Sequence, residues 1–372
     1  MTLVATCLFG LEKLLGEEID ALGCKRLETM DGRIFFEGDE RDVVRANLRL
    51  RLAEHVFVLL GAFPATTFTE LFDGVKALPL EDWIGRDDAF PVKGHSIKSR
   101  LFSVPDCQSI IKKAAVTRLS EVYGIKIFPE TGTKYQIEFF LFKDIAYVML
   151  DTTGTALHKR GYRPESGLAP LRETLAAAIV LTTHPRTDVL LWDPMCGSGT
   201  IAIEAAQILH RIAPGLTRSF DAEQFPRIPS AFWDEERKIA RDEIDLSNGA
   251  SVRASDIDPE VLAIAKENAR RAGVEDCIAF SRADVRTIQK EDCRATIVCN
   301  PPYGERLMTP HEVEALYREM GKAFSKLSPW QIFVLTSHPG LERLFLRKAD
   351  KTKKLVNGRI PCTLYEFLKP KN

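Results

Sequence analysis

The sequence contains no uninterrupted apolar run of about 18 residues, the length needed to cross a membrane as a helix, and no secretory leader. A membrane-spanning or exported chain is therefore not expected. The eight cysteines, at positions 7, 24, 107, 196, 277, 293, 299 and 362, include no closely spaced pair of the zinc-finger or redox type. This excludes the usual structural zinc or iron–sulfur arrangement and predicts reduced thiols in a cytoplasmic protein, most of them small core residues. Net charge is also nearly missing, since 51 Lys and Arg face 52 Asp and Glu. A surface that is basic all over is excluded, so any nucleic-acid contact must come from local patches. Internal repeats and low-complexity segments are absent.

The 372 residues, 45% of them hydrophobic, suffice for two or three domains. Up to about residue 160 the pattern is α+β. "RIFFEG" (Arg33 to Gly38) reads as a strand, and Val43, Val44, Leu48 and Leu52 fall at helical spacing before a further strand. "VPDCQSIIKKAAVTRLSEVYG" predicts a helix opened by Pro105 and Asp106 and closed at Gly124. "YQIEFFLFKDIAYVMLDTTG" predicts a hairpin turning at Lys143 and Asp144. From about Gly167 short apolar strands alternate with long helices, which predicts a doubly wound α/β domain with a parallel sheet covered on both faces. The boundary is expected in "RGYRPESGLAP", Arg160 to Pro170.

Ligands of an open α/β sheet gather at the C-terminal strand ends, and three acidic residues are expected there. "VLLWDPMCGSGTIAIEAA" places Asp193 at the tip of one strand, followed by Gly197, Ser198 and Gly199 opening a helix at Thr200. The glycines let backbone approach a ligand closely. The loop lacks both the Gly-Lys-Ser/Thr ending of a phosphate-binding loop and the third glycine of the dinucleotide fingerprint. A carboxylate ahead of it would repel a pyrophosphate but suit the ammonium of an amino-acid-bearing cofactor. In "VRASDIDPEVL", Asp256 is placed to accept hydrogen bonds from vicinal ribose hydroxyls, while Asp258 reads as a helix N-cap. In "IAFSRADV", Asp284 is placed to accept from the exocyclic amine of adenine. Asp256 lies 63 residues beyond Asp193, against about 20 in a compact dinucleotide unit. An insert of turns and a charged helix, with aromatics expected to serve packing, accounts for the excess.

"TIVCNPPYGERL" supplies the acceptor side. An exocyclic base amine is a poor nucleophile because its lone pair is delocalised into the ring. The Asn300 amide oxygen and the Pro301 carbonyl can each accept one amine hydrogen and aim the lone pair at a methyl group. Pro301 and Pro302 stiffen the backbone, and Tyr303 offers a flat face to an extruded base, worth roughly 1–3 kcal/mol in stacking. Cysteine-based C5 methylation is not expected, because Cys299 precedes Asn300 on an extended strand and points to the opposite face.

With "DPMCGSGT", "SDIDP", "NPPYGERL" and the lead-in "LHKRGYRPESGLAPLRETLAAAI", essentially the whole chain resembles class I S-adenosylmethionine-dependent methyltransferases, specifically the bacterial RNA guanine-N2 methyltransferases that carry an N-terminal THUMP domain. The resemblance implies an α/β Rossmann-like class I methyltransferase domain at 161–372. Before it come an N-terminal ferredoxin-like α+β segment at 1–55 and a THUMP RNA-binding domain at 56–160. S-adenosylmethionine is the implied cofactor, held by Asp193, Pro194, Met195, Cys196, Gly197, Ser198, Gly199, Thr200, Asp256, Ile257, Asp284, Val285 and Asn300 and bordered by Arg172, Glu173 and Thr174. No metal is implied. Asn300, Pro301, Pro302 and Tyr303 become the catalytic group.

Two local basic excesses fit phosphate contacts. Val92 to Lys134 has eight basic against three acidic residues, and Leu341 to Asn372 has nine against three. The RNA-binding candidates are Lys93, Lys98, Arg100, Lys112, Lys113, Lys159, Arg160 and Arg163. The resemblance points to guanine N2 in 23S ribosomal RNA. A tRNA guanine, DNA adenine N6 and a non-catalytic RNA-binding role are the alternatives.

Overall fold

A computed structural model describes residues 1–163, 171–303 and 308–368. The chain divides into two compact units, the first from Met1–Cys7, Gly16–Leu157 and Ser219–Arg237, the second from Leu8–Leu15, His158–Arg218 and Lys238 onward. None of the described helices is long and apolar enough to cross a membrane.

The first unit is built on a seven-stranded sheet of β1 (Thr2–Cys7), β2 (Arg26–Met30), β3 (Arg33–Glu37), β4 (Ala53–Pro64), β5 (Val92–Ile97), β6 (Ile137–Phe142) and β7 (Ile145–Asp151). Their order is β2-β3-β1-β4-β7-β6-β5, and only β5 and β6 pair in parallel. The turn between β6 and β7 is at Lys143 and Asp144, as expected, with φ of 50° and 63°. Two successive positive φ values match the twist of a two-residue hairpin. Asp39 closes a capping box with Asp42 ahead of the helix Glu40–Arg49, whose Val43, Val44 and Leu48 are buried. The helix Val104–Tyr123 carries Pro105 in its first turn and stops at Gly124, where φ is 66°.

The insert expected between Asp193 and Asp256 contributes Ser219–Arg237 to this first unit. Its Phe225 is 1% exposed and stacks on Tyr135 with ring centroids 4.3 Å apart. Asp221 pairs with Lys134 at 3.0 Å and Arg227 with Glu40 at 3.1 Å. Phe220 and Trp233 are buried and stack on each other at 5.3 Å. These aromatics pack, as the sequence suggested.

The second unit holds β8 (Leu190–Asp193), β9 (Val252–Asp256), β10 (Ile278–Arg282), β11 (Ala295–Cys299), β12 (Gln331–Thr336), β13 (Lys351–Asn357) and β14 (Ile360–Phe367) in the order β10-β9-β8-β11-β12-β14-β13. The first five strands in that order are parallel. β8 is flanked by β9 on one side and β11 on the other, which makes its C-terminal end the topological switch point. The expectation of a wholly parallel sheet needs correction, because β14 pairs antiparallel with both β12 and β13. The signal was in the sequence as Gly358-Arg359, since glycine at the first position of a two-residue loop suits a hairpin turn. Gly358 takes φ 64° in a two-residue turn. A core of Ile297, Tyr317, Met320, Val334 and Phe367 packs under β11, β12 and β14.

Candidate active site

The four apolar-to-acidic residues of β8 end at Asp193, which is 1% exposed at the switch point. Its Oδ1 accepts the Met195 N–H at 3.2 Å. Burial pushes its carboxyl up to about 8; the Met195 donor opposes that rise and Asp256 adds to it. Pro194, Met195 and Cys196 follow in the turn, and the Cys196 N–H donates to the Ser255 carbonyl at 3.0 Å. The Cys196 thiol is buried and pushed well upward, so it is inert.

Gly197 and Gly199 have φ of 52° and 84°, a region costly for residues with a Cβ. At Gly199 a Cβ would also stand 3.1 Å from Ala265. The helix Thr200–Leu209 starts there, with Ser198 Oγ 3.3 Å from Thr200 Oγ1. Asp256 ends β9 and binds the loop, its Oδ2 accepting from Gly197 N–H at 3.0 Å and its Oδ1 from Asp258 N–H at 3.1 Å. Each carboxylate oxygen keeps a further lone pair for a ligand hydroxyl. Asn268 fixes the loop from the other side by donating to the Ser198 carbonyl at 3.0 Å. Asp258 caps the helix Pro259–Arg271 by accepting from Glu260 N–H, the role read from the sequence. Ile257, beside Asp256 at the same strand end, is an apolar side chain that is 53% exposed.

Asp284 has a partner that the sequence did not suggest. It lies two residues past β10, accepts from the Arg286 N–H at 2.9 Å, and lays both carboxylate oxygens on the Arg286 guanidinium, which holds its carboxyl below the usual range. Val285 beside it is buried. At the start of the helix Glu173–Thr182, Arg172 is the N-cap and Thr174 is buried. Glu173 is 3% exposed and pairs with Arg163 at 2.7 Å. Its Oε2 is buried without a hydrogen-bond partner among the described residues, and burial, against the pull of Arg163, pushes the carboxyl up. Arg163 also reaches Thr200 Oγ1 at 3.3 Å.

Those contacts remove Arg163 from the RNA-binding candidates. Arg160 is removed too, being 2% exposed and paired with buried Glu204 at 3.4 Å. The Lys112 ammonium lies 3.5 Å from the Phe90 ring centroid and is paired with Glu130. Lys93, Lys98, Arg100, Lys113 and Lys159 are exposed. The arginines of "RGYR" thus make ion pairs with Glu204 and Glu173 where phosphate contacts were expected. The rest of that lead-in, residues 164–170, lies outside the described residues, as do residues 304–307 of "NPPYGERL".

The acceptor motif follows β11, the neighbour of β8, with Ile297 opposite Trp192. Cys299 is 0% exposed, and burial pushes its thiol well above the usual range, which rules it out as a nucleophile. Asn300 Oδ1 is buried and has no hydrogen-bond partner among the described residues. Leaving a buried amide oxygen unpaired costs about 1–3 kcal/mol, so this atom suits an N–H donor. The Pro302 carbonyl accepts from the Tyr317 hydroxyl at 3.0 Å, and Tyr317 also bonds Thr336 Oγ1 at 2.8 Å. The Tyr303 hydroxyl accepts from the Asn357 amide at 2.9 Å. Burial, chiefly, keeps the Tyr303 phenol protonated far above its ordinary range.

Tyr317, Thr336 and Asn357 were not singled out from the sequence. The helix Pro310–Ser325 and the strand β12 announce Tyr317 and Thr336 only as core positions. Nothing local links Asn357 to a motif 54 residues earlier.

The arrangement suits a cation with an amino-acid head at Asp193, vicinal hydroxyls at Asp256 and an apolar ring at Ile257. The Asn300 oxygen, unpaired among the described residues, suits an N–H donor. Residues 160–366 match the family model described as the RMKL-like methyltransferase domain. The chain belongs to this methyltransferase family. Residues 2–57 match the RlmL ferredoxin-like domain and 65–151 the THUMP domain. A class I methyltransferase fold therefore follows a THUMP-containing region in this family member.

The protein named "Putative RNA methyltransferase YpsC" from Bacillus subtilis (strain 168) is 44% identical over 98% of this chain and 95% of its own. The solved structure "SMU.472, a putative methyltransferase complexed with SAH" is 39% identical, covers 100% of this chain and 98% of its own, and superposes with a TM-score of 0.93. A protein described as "a predicted N6-adenine-specific DNA methylase from Listeria monocytogenes str. 4b F2365" is 44% identical, covers 99% and 96%, and has a TM-score of 0.94.

Proposed function

We propose that this methyltransferase uses S-adenosylmethionine to methylate the exocyclic N2 amine of a guanine in RNA, with large-subunit ribosomal RNA as the first substrate to test. The observation that carries the amine reading is the buried Asn300 Oδ1 at the tip of β11, one strand away from Asp193 and without a hydrogen-bond partner among the described residues. When bound, the cofactor supplies an electrophilic methyl carried on a sulfonium. Asp193 holds its ammonium, Asp256 its ribose hydroxyls and Ile257 one face of its base.

On the acceptor side, Asn300 Oδ1 accepts an amine hydrogen and thereby directs the nitrogen lone pair away from the ring. The Pro301 carbonyl accepts the second hydrogen, while Tyr317 occupies the Pro302 carbonyl and fixes the loop. Tyr303 supports the base from its face. The methylated amine carries one proton too many, and water takes it after transfer, so no side-chain base is required. Preorganised acceptors of this kind are worth about 10²–10³ in turnover.

The THUMP domain and the designation of the Bacillus subtilis relative support RNA as the polymer. The designation of the Listeria protein favours DNA adenine as the second reading. Incubating the protein with tritiated S-adenosylmethionine and, separately, unmodified ribosomal RNA, tRNA and DNA discriminates them. Label recovered as N2-methylguanosine from ribosomal RNA supports the proposal, and label recovered from DNA alone refutes it.

A further inference from the structure

The hairpin β13–β14 is the part of the sheet that departs from a parallel pattern, and its register carries its turn past the neighbouring strand. β12 ends at Thr336 opposite Thr363. Ile360, Pro361 and Cys362 of β14 therefore extend beyond β12, by about 10 Å at about 3.4 Å per residue. That is the sheet edge where Asp193, Asp256 and Asn300 stand. The overhang is attached there, because Asn357, the last residue of β13, donates to the Tyr303 hydroxyl at 2.9 Å.

The turn itself consists of Gly358 and Arg359. Arg359 is exposed and makes no ion pair among the described residues. Other arginines of the same C-terminal stretch are neutralised, Arg343 by Glu314 at 3.2 Å and Arg347 by Asp350 at 3.8 Å. Ile360, next to Arg359, is 39% exposed in a strand otherwise mostly buried. A guanidinium without an ion pair among the described residues thus stands in a two-residue turn, with an apolar side chain at the strand position that follows, and the hairpin is tied to the acceptor loop.

We infer that the Gly358–Arg359 turn is a substrate-contact site in which the Arg359 guanidinium takes the phosphodiester flanking the target nucleotide. The inference rests on the nucleic-acid reading of the site. A base drawn out of its stack into a strand-tip pocket leaves its flanking phosphates at the pocket mouth, and a guanidinium fork matches a phosphate bidentately. A tight hairpin turn loses little freedom on binding, and Ile360 covers the sugar side of the same nucleotide.

The test measures initial rates of methyl transfer to ribosomal RNA isolated from cells lacking the gene, over a range of RNA and salt concentrations. Arg359→Ala should raise KM for RNA about tenfold and lower the slope of log KM against log salt by about 0.7–0.9, with cofactor affinity unchanged. Arg359→Lys should keep the wild-type salt slope and recover only part of the KM. An Arg359→Ala KM equal to wild type, or a raised KM with an unaltered salt slope, would overturn the inference. A wild-type protein that methylates no RNA would instead remove the reading on which it rests.

Discussion

Asn357 donates its side-chain amide to the Tyr303 hydroxyl at 2.9 Å, joining the turn of the last hairpin to the Asn-Pro-Pro-Tyr loop. The bond holds the ring of Tyr303 in one orientation, while Tyr317 holds the backbone one residue earlier through the Pro302 carbonyl. Asn357→Ala should therefore lower kcat about tenfold through misplacement of the base, with cofactor affinity intact. Tyr303→Phe should give a similar loss, and the double variant should lose little more, because the two residues act through one bond. Additive losses in a double-mutant cycle of kcat would contradict the coupling.

With the cofactor ammonium at Asp193, as proposed, the buried carboxyl should make cofactor binding depend on pH. Its carboxyl, raised to about 8, is mostly protonated in the free protein at pH 7. An ammonium favours the charged form, so binding at pH 7 releases a proton from this group. Affinity should rise by up to about tenfold per unit between pH 6 and 8 and then level off. Isothermal titration in buffers of different ionisation enthalpy reads the released proton directly, and Asp193→Asn should abolish this component. The sign for stability is opposite. The folded carboxyl binds its proton more tightly than the unfolded one, so this contribution to the stability of the free protein falls as pH rises from about 4 through about 8.

Phe225, from the insert between the motifs, is packed in the first unit against Tyr135 and edge-on to Trp83, with centroids 6.3 Å apart. Phe225→Ala should cost about 3–5 kcal/mol and lower the melting temperature. A melt unchanged from wild type would show that the insert contributes nothing to that core.

Much of the site could be read from the sequence because short local signals carried it. Asp193, Gly197, Gly199, Asp256 and Asn300 each follow an apolar strand, and strand tips are where an α/β sheet collects ligands. The turn at Lys143 and Asp144 and the stop at Gly124 were likewise local, one set by a polar break between apolar runs and the other by a glycine. Features set by side-chain pairing, near or far along the chain, were missed. Asp284 has the same strand-end appearance as Asp256, yet its guanidinium partner is two residues away. Arg160 and Arg163 look like a basic patch in one dimension, but Glu204 and Glu173 bury them. The antiparallel hairpin was masked by its lysines, which read as a basic patch for phosphate contacts and drew attention from the Gly358-Arg359 turn.

The central claim, that Asn300 presents an acceptor to a base amine in RNA, is tested most directly by nucleoside analysis of ribosomal RNA incubated with labelled cofactor and either wild type or Asn300→Ala. N2-methylguanosine is expected with wild type, and a rate at least about 100-fold lower with Asn300→Ala, at equal cofactor affinity. Equal rates for the two proteins, or label found only in DNA, would contradict it.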